Sequence, residues 1–210
     1  MMVNYLQGVL CEENAKTPLY ALCDYETLVK KKISLEEFVV MIKSHNVKVL
    51  QYRDKHNSLE IQKKYLTLLQ NSLKIPVIIN DAIELLETAD GLHLGQEDIV
   101  RVLKKSIKVQ DPKWLFKLLR KKYPNKLFGV STHNEMEILQ ANEWDLDYIG
   151  LGAYKNTSTK EVSTVLGDKI SYLAKISKHP VCAIGGVKIN DHIPNIAFNV
   201  VSSDLYHDEN

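Results

Sequence analysis

Polar residues suited to gripping phosphate follow short apolar runs at six places in this chain. They are Gln51-Tyr52-Arg53-Asp54-Lys55, Asn80-Asp81, Gly95-Gln96-Glu97-Asp98, Ser131-Thr132-His133, Gly152 through Lys160, and Gly185-Gly186. Gln51, Arg53 and Lys55 alternate, so in extended backbone all three point to one face. A guanidinium fork beside an ammonium suits a pyrophosphate. Asp81 follows the third apolar run and Asp98 lies just past the fourth; from neighbouring strands about 4.8 Å apart their carboxylates can converge on one ion. Magnesium takes few carboxylates, several waters and substrate phosphate oxygens, and two aspartates supply that arrangement. Thr157-Ser158-Thr159-Lys160 offers hydroxyls and one cation as an anion clamp. Gly185-Gly186 permits close backbone approach to a phosphate, with Ser202 and Ser203 as its partner from the last apolar run.

Each group alone also has a plainer use. An aspartate caps a turn, Arg and Lys populate a solvated loop, and Ser/Thr runs are common in loops. His133 reads equally as an acid or base and as a structural histidine. His93 sits within an apolar run and reads as a side chain that fills the interior. The lysines and arginines between Arg101 and Lys126 are spaced against Trp114 and Leu118 as the wet face of a helix. The chain carries no Walker loop, Gly-x-Gly-x-x-Gly, Gly-x-Ser-x-Gly or His-Glu-x-x-His, and no covalent nucleophile stands out.

The elements that must position these groups are eight apolar runs: Pro18–Cys23, Val47–Gln51, Ile75–Ile79, Gly91–Leu94, Leu127–Val130, Tyr148–Leu151, Val181–Ile184 and Phe198–Val201. Most lack polar alternation, as parallel strands covered on both faces do. Helical spacing separates most of them. Ser34 with Glu37 forms a capping box, Ser58 to Leu73 is a second helix, and Glu84-Leu85-Leu86 a short third. Asp111-Pro112 reads as N-cap and first residue of another, followed by Asn134–Ala141 and Asp168–Ile176. Alternating strands and helices predict a parallel α/β sheet, and eight strands predict a closed (β/α)8 TIM barrel. Functional groups then gather at the C-terminal rim.

A chain of 210 residues is most simply a single domain. The expected organisation is an N-terminal extension, 1–16, then a barrel domain, 17–210. Only residues 202–210 follow the eighth run, too few for a last helix of about three turns. The N-terminal segment, or a partner chain in a homo-oligomer, is therefore expected to cover the outside of strands eight and one. Residues 1–16 also suit a plug for the bottom of the barrel. The net charge of +1 argues against a nucleic-acid partner. No apolar stretch nears the ~20 residues that cross a bilayer, and the N-terminus lacks a basic start. Three scattered cysteines, Cys11, Cys23 and Cys182, make neither a disulfide framework nor a zinc site. A cytoplasmic protein is expected.

In combination the motifs resemble the thiamine phosphate synthase family. They are Gln51–Lys55, Ile79-Asn-Asp81, Asp90–Asp98, Gly129–His133, Asp147–Gly152, Thr157–Lys160 and Ala183–Gly186, in that family's order. The resemblance implies a (β/α)8 barrel that joins the aminopyrimidine 4-amino-5-hydroxymethyl-2-methylpyrimidine diphosphate (hydroxymethylpyrimidine diphosphate) to 4-methyl-5-(2-hydroxyethyl)thiazole phosphate (thiazole phosphate) and releases pyrophosphate with Mg2+. It implies Asp81 and Asp98 on the metal. Arg53, Lys55, Asn80 and Lys160 would grip the diphosphate, Gln51 would touch the pyrimidine, and Ser131 would lie near the leaving oxygens. Thr157, Thr159, Gly185, Gly186, Ser202 and Ser203 would hold the thiazole phosphate. Ser131, Lys160 and Arg53 are the expected catalytic residues. The related thiazole tautomerases, which would use His133, lack much of the diphosphate and metal equipment. A barrel that binds phosphate ligands without turnover is the third reading, prompted by the short C-terminus and by Asp204. Departures from the family are a longer passage from Asp98 to Gly129 and Gly152-Ala-Tyr-Lys-Asn before the threonines.

Overall fold

The computed structural model describes residues 2–11, 16–106, 109, 111–156 and 165–206. Its elements are, in chain order, α1 (Met2–Cys11), β1 (Leu19–Asp24), α2 (Tyr25–Lys31), α3 (Leu35–Ser44), β2 (Val47–Arg53), α4 (Leu59–Ser72), β3 (Val77–Asn80), β4 (Gly91–Leu94), α5 (Gln96–Lys105), α6 (Pro112–Lys122), β5 (Leu127–Thr132), α7 (Glu135–Ala141), β6 (Tyr148–Gly152), α8 (Lys169–Ala174), β7 (Val181–Ile184) and β8 (Phe198–Val201). All eight strands pair in sequence order, each parallel to the next, and β8 returns to β1. The chain is a single (β/α)8 barrel.

Strand periodicity splits the apolar side chains into two clusters. One lies inside the barrel and includes Tyr20, Val49, Ile78, Leu127, Tyr148, Cys182 and Phe198. The other fills the space between strands and helices, with Ala21, Leu50, Ile79, Leu92, Phe128, Ile149 and Val201 among its members. Gly129 is an inward position whose missing side chain makes room: a Cβ there would lie 2.2 Å from Tyr148 Cζ. Local sequence sets the helix starts. Ser34 and Glu37 form the full capping box on α3, and Asp111 caps α6.

Leu6 and Val9 of α1 join the interior cluster at the base of the strands. The Tyr5 hydroxyl donates to the Lys48 carbonyl at the foot of β2. The helix therefore plugs the barrel floor and does not cover the outside of β8 and β1. That outer face is closed differently from the expectation. Two helices, α2 and α3, follow β1, and a 3-10 turn, Ser203–Tyr206, follows β8. Phe38 of α3 meets the Tyr206 ring at 6.1 Å, and Leu205 is buried. The doubled connection after β1 thus packs against this turn on the outer face.

The long passage after β4 holds α5 and α6, whose lysines and Arg101 are exposed around the buried Ile99, Leu115 and Phe116; Arg120 departs from that wet face, turning inward to pair with Asp145 and Asp147. A single 3-10 turn, Ile83–Leu85, bridges β3 and β4. Among the described residues no helix joins β7 to β8. Instead the fully buried Asn199 donates to the Asp191 carbonyl at 2.7 Å, and Asp204 accepts from Ile189 N at 2.9 Å. Asp204 thus fastens this loop. Cys23 and Cys182 are buried free thiols. Among the described residues no helix is long and apolar enough to cross a membrane.

Candidate active site

The C-terminal rim of β2, β3 and β4 gathers the acidic and amide groups. Asp81 follows β3 in the left-handed conformation, φ 62°, which aspartate tolerates better than most residues. Its N–H donates to the His93 carbonyl, pinning the strand end to β4. Its Oδ1 accepts from Gly95 N at 3.4 Å, and its Oδ2 accepts from Asn80 Nδ2 at 2.5 Å. Asp98 sits in the first turn of α5, where the helix dipole favours a carboxylate, and pairs with Arg101 at 2.7 Å. The two carboxyls meet. Burial, then the hydrogen bond and charge of Asp98, push Asp81 up to about 6, while Lys55 pulls the other way. Like-charged carboxyls brought together and partly desolvated suit a divalent cation.

The donor set fits magnesium by its chemistry. Among the described residues no cluster of three or more His, Cys, Asp or Glu could hold a metal. Two hard oxygen ligands leave the remaining positions to water and phosphate, which is how magnesium is held.

Beside the carboxylates stands Gln51, buried on β2, whose Nε2 donates to Asn80 Oδ1 at 2.6 Å. Arg53 is not free in the mouth. Its Nη1 donates to Asp24 Oδ2 at 2.5 Å, and Asp24 also caps α2 through Thr27 N. Lys55 is exposed and forms no ion pair among the described residues, although its charge reaches Asp81. Asp54 organises this loop. It accepts from Tyr52 Oη, His56 N, Asn57 N and Asn57 Nδ2, all within 2.7–3.0 Å. Burial raises its carboxyl, but these bonds win and hold it below the usual value.

Ser131, at the end of β5, lies 2.9 Å from His93 Nε2, and its carbonyl accepts from Gln96 Nε2 at 2.6 Å. On the far side of the rim, Gly185 and Gly186 have φ of 84° and 68°. A Cβ on either would strike the loop after β6, at Ala153 or at Asn156 and Lys155. The two loops are also joined by Lys155 N donating to the Gly185 carbonyl. Ser202 and Ser203 open the last 3-10 turn next to β8. Thr157, Thr159 and Lys160 lie outside the described residues. His133 is exposed and its Nδ1 contacts Glu137 Oε2 at 2.9 Å across the first turn of α7.

The structure thus brings together Gln51, Asn80, Asp81, Asp98 and the charge of Lys55. It holds Arg53 against a residue the sequence did not nominate, Asp24. Also missed were Tyr20 and Tyr148, whose only sequence signal is a polar atom at an inward strand position.

A family model described as thiamine monophosphate synthase matches residues 19–201. The thiamine-phosphate synthase of Persephonella marina is 31% identical over 211 residues, covering 94% of this chain and 92% of that protein. That of Clostridium acetobutylicum is 31% identical, covering 83% of this chain and 78% of its own length. Among solved structures, the Pyrococcus furiosus thiamine phosphate pyrophosphorylase superposes with TM-score 0.62 at 21% identity, covering 89% of this chain and 86% of that one. A geranylgeranylglyceryl phosphate synthase from Thermoplasma acidophilum, TM-score 0.60 at 9% identity, covers 97% and 92% and shares the fold alone. With the family match running from the first strand to the last and a relative aligned along nearly its whole length, this chain belongs to the thiamine monophosphate synthase family.

Proposed function

We propose that this protein is a thiamine phosphate synthase: it joins hydroxymethylpyrimidine diphosphate to thiazole phosphate and releases pyrophosphate. The observation that carries the reading is the meeting of Asp81 and Asp98 beside Asn80, Gln51 and Lys55 at the C-terminal mouth. The reaction breaks the bond between the pyrimidine methylene carbon and the diphosphate oxygen, whose electron pair leaves with pyrophosphate. The thiazole nitrogen lone pair then closes on that carbon. No protein nucleophile is required, only stabilisation of charge on the leaving group.

Asp81 and Asp98 would hold Mg2+, and that ion supplies neutralisation of the diphosphate oxygens. Lys55, Lys160, Asn80 and the remaining donors of Arg53 bind the diphosphate. Gln51 orients the pyrimidine. Thr157, Thr159, Gly185, Gly186, Ser202 and Ser203 receive the thiazole phosphate, in the loops after strands six, seven and eight. The Gly185-Gly186 conformation supports that assignment, because it folds the β7 loop onto the β6 loop. Such a site works on small molecules.

The test is turnover with both substrates, with and without Mg2+, read as thiamine phosphate formed. Product that depends on both substrates and on the ion is expected. Absence of product from folded protein that still binds thiamine phosphate and pyrophosphate would overturn the enzymatic reading.

A further inference from the structure

A continuous hydrogen-bonded chain crosses the barrel interior beneath the mouth. Asn80 Nδ2 reaches Asp81, Gln51 Nε2 reaches Asn80 Oδ1, and Tyr20 Oη reaches Gln51 Oε1 at 3.1 Å. Tyr148 Oη lies 2.9 Å from Tyr20 Oη and 3.1 Å from His93 Nδ1; His93 Nε2 lies 2.9 Å from Ser131 Oγ. The chain uses six strands, β1 through β6, and its middle is sealed from water.

The carboxylate end sets the polarity of every link. Asp81 accepts, so the Asn80 amide nitrogen faces it and the Asn80 oxygen faces Gln51. Gln51 then donates to Asn80 and turns its own oxygen to Tyr20. The Tyr20 proton is spent on Gln51, so Tyr20 accepts from Tyr148. The Tyr148 proton is spent in turn, so His93 Nδ1 must carry a hydrogen and donate to Tyr148. His93 Nε2 is then bare, and the Ser131 hydroxyl donates to it. Burial keeps both phenols protonated, pushing Tyr20 and Tyr148 well above their ordinary range, and lowers His93 to about 4, so the imidazole is neutral.

We propose that His93, held by Tyr148 and Tyr20, is a positioning residue that spends the Ser131 proton inside the protein, leaving Ser131 only lone pairs for the substrate. The group it selects is an N–H donor, the exocyclic amine of an aminopyrimidine, and not the anionic oxygens of the diphosphate. This rests on the reading above and revises the expected place of Ser131 in it. An amine that donates to Ser131 pushes electron density into its ring, which steadies the cationic carbon left by pyrophosphate. No proton changes hands.

The tautomer is tested without turnover, by two-bond proton–nitrogen NMR on protein labelled in its seven histidines. His93 is assigned by its loss in His93→Gln or, should that variant not fold, by the resonances that Tyr148→Phe moves. A protonated Nδ1 and a bare Nε2 are expected; the opposite pattern overturns the proposal. Turnover supplies the second arm. Tyr148→Phe should lower kcat about tenfold, the loss of one hydrogen bond's orientation, with the KM for thiazole phosphate unchanged. Combined with Ser131→Ala it should cost no more than Ser131→Ala alone, whereas additive losses overturn the proposal. An analogue with oxygen in place of the amine should be rejected by the wild type and far less by Ser131→Ala. Equal rejection by both overturns the selection. If no product forms with any protein, the synthase reading fails while the NMR result still decides the tautomer.

Discussion

Arg53 and Asp24 face each other across the paired ends of β2 and β1, guanidinium nitrogen to carboxylate oxygen at 2.5 Å. Asp24 is almost wholly buried, at 2% exposure, whereas the Arg53 side chain keeps 21% of its surface in solvent. The carboxylate therefore orients the guanidinium while leaving part of it open to a ligand. Asp24→Asn keeps an acceptor for the α2 cap but removes the charge that aims Arg53. The KM for the diphosphate substrate should rise about tenfold, with a smaller change in kcat. Arg53→Ala strands a buried carboxylate and should cost stability as well, about 2–3 kcal/mol in denaturant unfolding. Equal stability of Arg53→Ala and wild type would show the pair to be idle.

Asp98→Asn preserves shape and removes one of two adjoining charges. Turnover should fall at least about a hundredfold, and the Mg2+ concentration for half-maximal rate should rise, since a cation gains most from the second carboxylate. The melting temperature should hold, because the pair repels in the absence of a cation. Full activity at unchanged Mg2+ dependence would remove Asp98 from the site.

The contribution of His93 to stability should fall as the solution is acidified. Burial lowers its folded value to about 4, against 6.5 for the unfolded chain, with only partial relief from the Asp98 charge. Above pH 6.5 neither state is protonated and the contribution is intact. Below it the unfolded chain takes up a proton that the folded one refuses, and the loss grows until pH reaches about 4. Between pH values of about 7.5 and 5 the His93 contribution should fall by on the order of 2 kcal/mol, offset in part by Asp81, whose raised value makes the folded state take up a proton first. Urea midpoints of wild type and His93→Gln at both pH values check this; His93→Gln should lose less on acidification.

Gly129→Ala tests the seat of the Tyr148 ring. The new methyl would lie 2.2 Å from Cζ and about 2.5 Å from two other ring carbons, so the ring must move. Overpacking of this kind costs about 1–3 kcal/mol, several degrees in melting temperature for a chain of this size. Because the phenol carries the link from His93 to Tyr20, kcat should drop beyond what the lost stability explains. A variant that melts lower yet turns over normally would separate the seat from the chemistry.

Much of the architecture was legible because it is local. The capping box of Ser34 and Glu37, the Asp111-Pro112 start and the eight apolar runs each depend on neighbours a few residues away. The placing of Asp81 just past β3 and of Asp98 in the turn of α5 that follows β4 likewise reflects their closeness in sequence to the strand ends. The doubled helix after β1 was not legible: α2 is a seven-residue helix whose one buried side chain is Leu28, too weak a period to read.

Residue type and order alone determined the strand count and the family resemblance. Tertiary structure alone decided which groups spend their hydrogen bonds on each other. Tyr20 and Tyr148 lie 128 residues apart, and each looks like an ordinary apolar strand residue in its own run. Barrel closure carries β1 across from β6, and the loss of water inside obliges every buried polar atom between them to find a partner. Arg53 met Asp24, and His93 met Ser131, for that same reason.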